Sequence, residues 1–400
     1  MNILFITPSV PSRLHRIRSY DLIKALSKRH KIHLLSLDSN NDVLPVELMK
    51  SVATFNVVYK AKWKSYIDCI IGLFSWLPLE VSFCKSVEMK RKVREIIETK
   101  KIDLIYVKRL RSYQFVDNLK YDLPIIVDTT DAMSLFYKRA YKNAPWYKKA
   151  LFFEEYIKYL LYERFISKKN INLVTCSPVD KDYLLSRFNN VYIDVIPNIV
   201  DTEFFKRSLS ENDLSVEKNS ILFSGLMDKF VNIEGADFFV KKVFPIVLSK
   251  YPNSRLYIVG PNPVFHIRKY KSKNIMVTGF VNDIRDYINK TEVVVCPIIT
   301  GTGVRNKILQ AWAMEKPVIS TTRGWQGLGG TNGKELILAD KPEAFANSLM
   351  NLFEDKEFAN NLAQNGKKLV ESMYNEVAVL NKINNLLDSK VKHNRINRNE

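Results

Sequence analysis

The sequence predicts an α/β protein built from two doubly wound domains, each with a parallel sheet. Short apolar runs alternate with longer amphipathic stretches, the pattern of strand–helix–strand units. The runs are apolar on both faces, as in Asn2-Ile3-Leu4-Phe5-Ile6, which is expected when helices cover both sides of a sheet. The pattern lapses over residues 207–219 (RSLSENDLSVEKN) and then restarts, and 400 residues exceed what one hydrophobic core usually serves.

In order, the first series of strands is Ile3–Thr7, Ile32–Leu37, Phe55–Tyr59, Ile102–Val107, Ile125–Asp128, Leu173–Ser177 and Tyr192–Pro197. Arg18–Arg29 and Val87–Thr99 carry a helical period between them. The second series is Ile221–Ser224, Arg255–Val259, Asn274–Thr278, Glu292–Cys296, Pro317–Ser320 and Glu335–Leu338. Its clearest helices are Gly235–Leu248, Arg305–Met314 and Lys341–Phe353. These series place one domain at 1–206 and a second at 207–375. Residues 376–400 supply the end of a last helix, about Glu357–Ser389, that crosses back to the first domain, and a polar tail (VKHNRINRNE) expected to fray. In such sheets ligands sit at the carboxyl ends of the strands, so two sheets facing a cleft offer two half-sites.

Composition narrows the function. The hydrophobic fraction is 46% and the charged fraction 26%, which excludes a largely disordered chain or a disulfide scaffold. The longest uncharged apolar stretch, Cys69 to Leu79, is far short of the ~20 residues of a spanning helix. Residues 1–10 lack a basic leader and read as a buried strand, so a cytoplasmic protein is expected. Cys69, Cys84, Cys176 and Cys296 form no C-x-x-C pair and have no histidine at zinc spacing, so neither a metal nor a cofactor is expected. Net charge is +19, with +13 in residues 1–200 against +6 in residues 201–400, which favours one basic face and an anionic partner.

The chemistry concentrates in Pro297–Thr322, PIITGTGVRNKILQAWAMEKPVISTT. A buried strand ends at Pro297, a Gly-Thr-Gly turn follows, and a helix begins near Val304. Gly301 and Gly303 let backbone approach a ligand, and the helix start points free N–H groups at it. Arg305 and Lys307 stand in the first turn, where the helix dipole prefers acids, so an anion is needed to offset them. A diphosphate fits that requirement.

This stretch resembles the donor-binding signature of the family 4 glycosyltransferases, in the branch found in bacterial exopolysaccharide clusters. Ile221–Val240 (ILFSGLMDKFVNIEGADFFV), Arg255–Pro263 (RLYIVGPNP) and Val277–Val281 (VTGFV) with Asn282-Asp283 agree in order and spacing. So do Ile17–Tyr20 (IRSY), His33–Leu37 (HLLSL), Val127–Ser134 (VDTTDAMS) and Val195–Phe204 (VIPNIVDTEFF), and together they span roughly residues 1–375.

The resemblance implies a GT-B fold: two Rossmann-like domains facing a cleft, the first for the acceptor and the second for a nucleotide sugar. It implies donor binding by Gly225, Gly301, Thr302, Gly303 and Val304, a nucleobase near Phe280 and Val281, and a ribose contact from Gln310. Arg305 and Lys307 would neutralise the diphosphate in a retaining, metal-independent transfer. Asp131, with Asp128 at the end of a buried strand, is read from the residues as an acidic candidate on the acceptor side or, equally, as the N-cap of a helix over Ala132–Arg139. Arg16, Arg18 and Asp128 would serve the acceptor or a phosphate, and the loop Pro8–Tyr20 adds Arg13 and His15. The sequence departs from the family at Thr302 and Gln310, where two glutamates eight residues apart are usual. It departs again at Leu226, Ile199 and Glu315, where arginine, glycine and glycine are common.

Two stretches mix lysine with large apolar side chains, Lys60–Cys84 and Tyr137–Lys169. Aromatic residues favour the lipid headgroup level and clustered lysine favours anionic lipid. The expected function is sugar transfer from a nucleotide donor to a glycan, lipid-linked, at the inner face of the cell membrane during surface polysaccharide synthesis. Three alternatives stand beside it. They are a degenerate relative that partners or chaperones an active transferase, a basic nucleic-acid-binding protein (disfavoured because no binding motif accompanies the charge), and a nucleotide-sugar epimerase of the same fold.

Overall fold

The computed structural model describes residues 1–12, 17–169, 171–206 and 216–399. Most of the expected linker, residues 207–215, and Arg13, His15 and Arg16 lie outside the described residues. The chain divides into two units, Met1–Ile199 with Glu376–Glu400, and Val200–Asn375.

Unit 1 holds a seven-stranded sheet: β1 Asn2–Thr7, β2 Lys31–Asp38, β3 Thr54–Tyr59, β4 Leu104–Lys108, β5 Ile125–Thr130, β6 Asn172–Thr175 and β7 Tyr192–Val195. Its spatial order is β3-β2-β1-β4-β5-β6-β7, and the pairings are parallel. Strand order reverses between β1 and β4, where Ile3 pairs Leu104. Alternation along the strands feeds two cores. In β1, Leu4 and Ile6 join a cluster with Met89, Val93 and Ile97, while Ile3 and Phe5 join one with Tyr20, Ile23 and Leu26. The first of these groups lies on helix Val87–Lys100, which starts where Ser86 accepts the Met89 N–H and ends at Lys101 in a left-handed conformation.

Helix Glu376–Asn399 belongs to the same unit: Val379, Ile383, Leu386, Leu387 and Val391 fill the core beside Ile3 and Phe5. Their spacing is that of one helical face. The tail expected to fray continues this helix, because residues 391–399 contain no Pro or Gly to stop it. The single helix expected over 357–389 is instead two, Lys356–Met373 and Glu376–Asn399. The break falls where Tyr374 turns its hydroxyl to the Leu328 carbonyl (2.5 Å) and its own carbonyl accepts the Val200 N–H (2.8 Å).

Unit 2 holds β8 Ser220–Ser224, β9 Arg255–Val259, β10 Ile275–Val277, β11 Val293–Cys296, β12 Val318–Ser320 and β13 Ile337–Leu338. The order is β10-β9-β8-β11-β12-β13, again parallel, with the reversal between β8 and β11. One core spans both faces, with Trp312 fully buried and its indole N–H donated to the Glu335 carbonyl (2.9 Å). Any side chain at Gly366 would strike the Trp312 ring, so the helix after it packs on glycine. The helix expected over 235–248 runs from Phe230 to Lys250 and widens into a π turn at Phe239–Val243. Pro245 lacks the N–H that a regular turn needs there. Both units are thus doubly wound parallel sheets, as the sequence predicts.

Candidate functional site

Unit 2 places the Gly-Thr-Gly turn at its topological switch point, where open α/β sheets bind ligands. β11 ends at Cys296 and the chain runs through Gly301, Thr302 and Gly303 to helix Asn306–Ala313. Arg305 is the residue just before that helix and Lys307 lies in its first turn. Gly301 and Gly303 have φ of 108° and 79°, conformations that favour glycine. A Cβ at Gly301 would lie 2.7 Å from the Arg305 guanidinium, so the glycine is what admits that side chain.

Across the switch, β8 ends in Ser224 and turns at Gly225, whose φ is 151°. Gly225 N–H bonds the Val259 carbonyl (2.9 Å), and a Cβ on Gly260 would collide with the Gly225 carbonyl. Gly260 in turn donates to the Gly279 carbonyl (3.2 Å), next to Phe280. Three glycines therefore line the carboxyl edge of β8, β9 and β10. Phe280 is exposed at that edge, and Val281 packs against the core.

The two cations have neutral neighbours. Lys307 Nζ donates to Asn232 Oδ1 (3.0 Å) and lies 4.3 Å from the centre of the Phe223 ring. Asn232 reaches on to the Leu226 carbonyl (2.9 Å), tying the lysine to the Gly225 turn. Among the described residues the Arg305 guanidinium has only a long contact to the Thr300 carbonyl (3.5 Å), and its Nε is buried without a partner. Among the described residues no carboxylate pairs with either cation. Burial, with Arg305 nearby, pulls the Lys307 pKa down to about 8 although Cys296 opposes it. Stacked positive charge with no counter-ion is what an anion would relieve.

Of the remaining expected donor residues, Thr302 is buried in the turn and Val304 packs on the core. Gln310 stands half-buried three residues beyond Lys307, hence on the same helix face. Neither 302 nor 310 supplies a carboxylate, but Glu234 brings one to this loop. Burial raises its pKa, a bond from Thr300 opposes that shift, and Oε2 is buried without a hydrogen-bond partner. Asn232, Glu234 and Gly260 are absent from the sequence-derived set. Their only signal is that each lies in a segment resembling the family, Ile221–Val240 or Arg255–Pro263.

Unit 1 uses its switch point differently. Arg18 and Asp128, expected on the acceptor or phosphate side, are instead buried against one another. The guanidinium contacts Asp128 Oδ2 at 3.1–3.2 Å and donates to Pro197 O and Asn198 Oδ1, both at 2.8 Å. Lys108 Nζ (2.8 Å) and the Tyr106 hydroxyl (2.9 Å) share the same carboxylate oxygen. Asp128 Oδ1 accepts from the Thr130 N–H (2.9 Å). Burial pushes Asp128 up, but Arg18 and Lys108 outweigh it and hold the carboxyl well below its ordinary range. Burial also lowers Lys108 to about 7 against the pull of Asp128. Asp128 is thus the shared counter-ion of Arg18 and Lys108, although Arg18 Nη2 makes no hydrogen bond.

Asp131 sits beside this cluster, half-buried, with Arg109 Nη1 at 3.3 Å and Cys176 Sγ at 3.6 Å. It does not cap helix Met133–Asn143; Ala132 precedes that helix, and its N–H bonds Asp180 (3.2 Å). Burial and the neighbouring Asp131 raise Asp180 to about 7. Arg109 and Thr130, on either side, have φ of 69° and 68°, strained for residues with a side chain and most so for β-branched threonine. Asp131, Cys176 and Asp180 bring ligand atoms within 4.8 Å of one another, but Arg109 and the Ala132 N–H already engage those carboxylates. The four cysteines are free thiols.

Residues 218–355 match the family described as Glycosyl transferases group 1. A protein from the cps region of Klebsiella pneumoniae, described as an uncharacterized 44.6 kDa protein, is 22% identical over 82% of this chain and 84% of its own length. The UDP-Gal:alpha-D-GlcNAc-diphosphoundecaprenol alpha-1,3-galactosyltransferase of Escherichia coli is 25% identical over 57% of this chain, which spans 62% of that relative. Among solved structures, sucrose-phosphate synthase from Thermosynechococcus elongatus superposes with a TM-score of 0.75 at 16% identity, over 97% of this chain and 98% of that one. Anabaena Alr3699/HepE in complex with UDP and glucose superposes with a TM-score of 0.68 at 14% identity, over 97% and 100%. The resemblance read from the sequence is borne out by the family match over residues 218–355 and by the fold.

Proposed function

We propose that this GT-B glycosyltransferase moves a sugar from a nucleotide donor to a glycan carried on a lipid, with retention at the anomeric carbon, in bacterial surface polysaccharide synthesis. The observation that carries the reading is the pair Arg305 and Lys307, held at the unit 2 switch point with no carboxylate paired to them among the described residues. A nucleoside diphosphate supplies the missing anion. Its phosphates seat on the backbone of Gly225, Gly301 and Gly303 with Val304 alongside, the base lies by Phe280 and Val281, and Gln310 bonds the ribose diol. Thr302 and Glu234 stand nearest the sugar.

The acceptor hydroxyl then forms a bond to the anomeric carbon as the bond from that carbon to the phosphate oxygen breaks on the same face. The departing phosphate oxygen takes the hydroxyl proton, and the two cations and helix start stabilise its charge. Such preorganised groups contribute about 2.7–4 kcal/mol each in well-studied sites. This chemistry requires no metal or cofactor, because the protein's own cations face the leaving group. Acceptor binding is assigned to unit 1, with Asp131 and Asp180 as its acids. The galactosyltransferase relative, whose acceptor is diphosphoundecaprenol-linked, and the UDP complex of HepE support this choice of substrates. The expected location is the cytoplasm, peripheral at the inner face of the cell membrane. No described helix is long and apolar enough to cross a membrane.

Thr302 and Gln310, which leave no glutamate at either position, favour a second reading: a partner of an active transferase that binds donor without turnover. Thermal-shift screening of nucleotide sugars, followed by transfer to a lipid-diphosphate-linked sugar, tests both. A ligand at about a hundred times its Kd adds about 2.7 kcal/mol to apparent stability. Stabilisation with product formation is expected. Stabilisation without product selects the partner reading, and no stabilisation by any nucleotide sugar overturns both. Steep salt-dependent binding to nucleic acid strands would revive the nucleic-acid alternative.

A further inference from the structure

Helix Lys62–Leu73 is folded inside out. Its buried residues are Ser65 and Gly72, while Trp63, Tyr66, Ile67, Ile70 and Ile71 face solvent. Small side chains allow the close approach: a Cβ on Gly72 would lie 2.5 Å from Ser82 Oγ, on helix Leu79–Phe83. Beyond the helix, Phe74 is 91% exposed. An ordinary surface helix turns such residues inward.

The neighbouring helix Trp146–Ser167 holds this one in place. Lys158 Nζ donates to the carbonyls of Gly72 (2.8 Å) and Leu73 (3.1 Å), and Glu155 accepts the Leu79 N–H (3.1 Å). Trp76 packs on Tyr162 and Phe165. The second helix carries its own exposed apolar stripe, Trp146, Phe153, Ile157 and Leu161, at helical spacing. Lys158, which ties the two helices together, is next in sequence to Ile157 of this stripe. Large apolar side chains exposed along a helix face in this way mark an interaction site.

Charge selects the occupant. Lys62, Lys64, Lys148 and Lys149 are exposed and make no ion pair among the described residues. The acids of the two helices are all engaged: Asp68 with Lys60, Glu154 with Lys158, Glu155 with the Leu79 N–H, and Glu163 with Ser134. What remains is large apolar side chains fringed by unpaired lysines, which is complementary to an anionic bilayer: acyl chains for the first, headgroups for the second.

We propose that helix Lys62–Leu73, with Phe74 and the exposed stripe of helix Trp146–Ser167, is an interfacial membrane-docking face that inserts into anionic lipid. The inference deepens the peripheral location proposed above but stands on unit 1 alone. The test is co-sedimentation of the full chain with phosphatidylcholine vesicles lacking or containing phosphatidylglycerol. Binding is expected with the anionic vesicles and is expected to weaken with salt. Lys62→Ala with Lys64→Ala lowers it roughly thirtyfold, and Ile70→Glu with Phe74→Glu by about a hundredfold or more. The latter pair is exposed, so thermal unfolding stays unchanged. Absence of binding at low salt, or undiminished binding by the Ile70→Glu/Phe74→Glu variant, overturns the proposal. So does lipid-free self-association that this variant abolishes. Nucleoside-diphosphate affinity, measured on the same variants, is expected to be unaffected. Its loss in the parent protein would break the transferase reading and leave the docking face intact.

Discussion

Arg18 and Lys108 in unit 1 and Arg305 and Lys307 in unit 2 occupy comparable places, at or beyond the carboxyl ends of the strands that flank each switch in strand order. In unit 1 the pair closes on Asp128, which also takes the Tyr106 hydroxyl and the Thr130 N–H. In unit 2 the pair meets an amide, an aromatic ring and a carbonyl. The same element of architecture thus closes as a strut on a carboxylate in unit 1 and, among the described residues, meets no carboxylate in unit 2. Buried charge alone does not identify a binding site, and the unit 2 pair is proposed as one because its counter-ion is absent among those residues.

The contrast breaks most directly at Asp128. Asp128→Asn leaves Arg18 and Lys108 buried without their carboxylate, and a loss of about 3–5 kcal/mol in urea unfolding is expected. A loss below about 1 kcal/mol would mean that the cluster is no strut. Because the folded pKa of Asp128 is depressed, its contribution is present above the ordinary carboxylate pKa of about 4 and is lost as pH falls below it.

Arg305→Ala should act in the opposite way. Transfer is expected to slow by about 10²–10³, with folding stability changed by less than about 0.5 kcal/mol. Comparable damage to stability and turnover would reduce Arg305 to a structural residue.

Lys307 sharpens the comparison through pH. With its pKa lowered to about 8, its charge is present below that value and lost above it. Nucleoside-diphosphate affinity is therefore expected to be level below pH 8 and to fall by up to about tenfold as pH rises past it. Binding should take up a fraction of a proton, measurable by calorimetry in buffers of different ionisation enthalpy. Lys307→Arg should flatten the profile, and an unchanged profile in that variant would assign the titration elsewhere.

The smallest effect belongs to Glu234. Glu234→Gln is expected to alter discrimination among donor sugars roughly fivefold, about 1 kcal/mol, while affinity for the free diphosphate stays the same. An equal change in both would place the carboxyl on the phosphates rather than the sugar.

Much of this was legible in the chain. Each strand expected from an apolar run appears, because residues apolar on both faces leave few alternatives to a covered sheet. The cations opening the helix after Gly303 were legible too, since they oppose the helix dipole whatever surrounds them. Arg18 and Asp128 show the limit. Arg18 stands in the first turn of a helix, as Lys307 does, and Asp128 lies near the end of β5, and nothing local says that one set meets its counter-ion. Helix Lys62–Leu73 shows it again: its composition reads equally as a core helix until the small residues prove to be the buried ones.

Apolar runs set between amphipathic stretches, the polar gap at 207–219 and the turn glycines determined two doubly wound domains and the stretch proposed to hold the donor, because these are local or periodic constraints. Tertiary structure decided which charges are spent and which are free. Arg18 finds Asp128 across 110 residues and Lys307 finds Asn232 across 75, through strand order and register that no local pattern encodes.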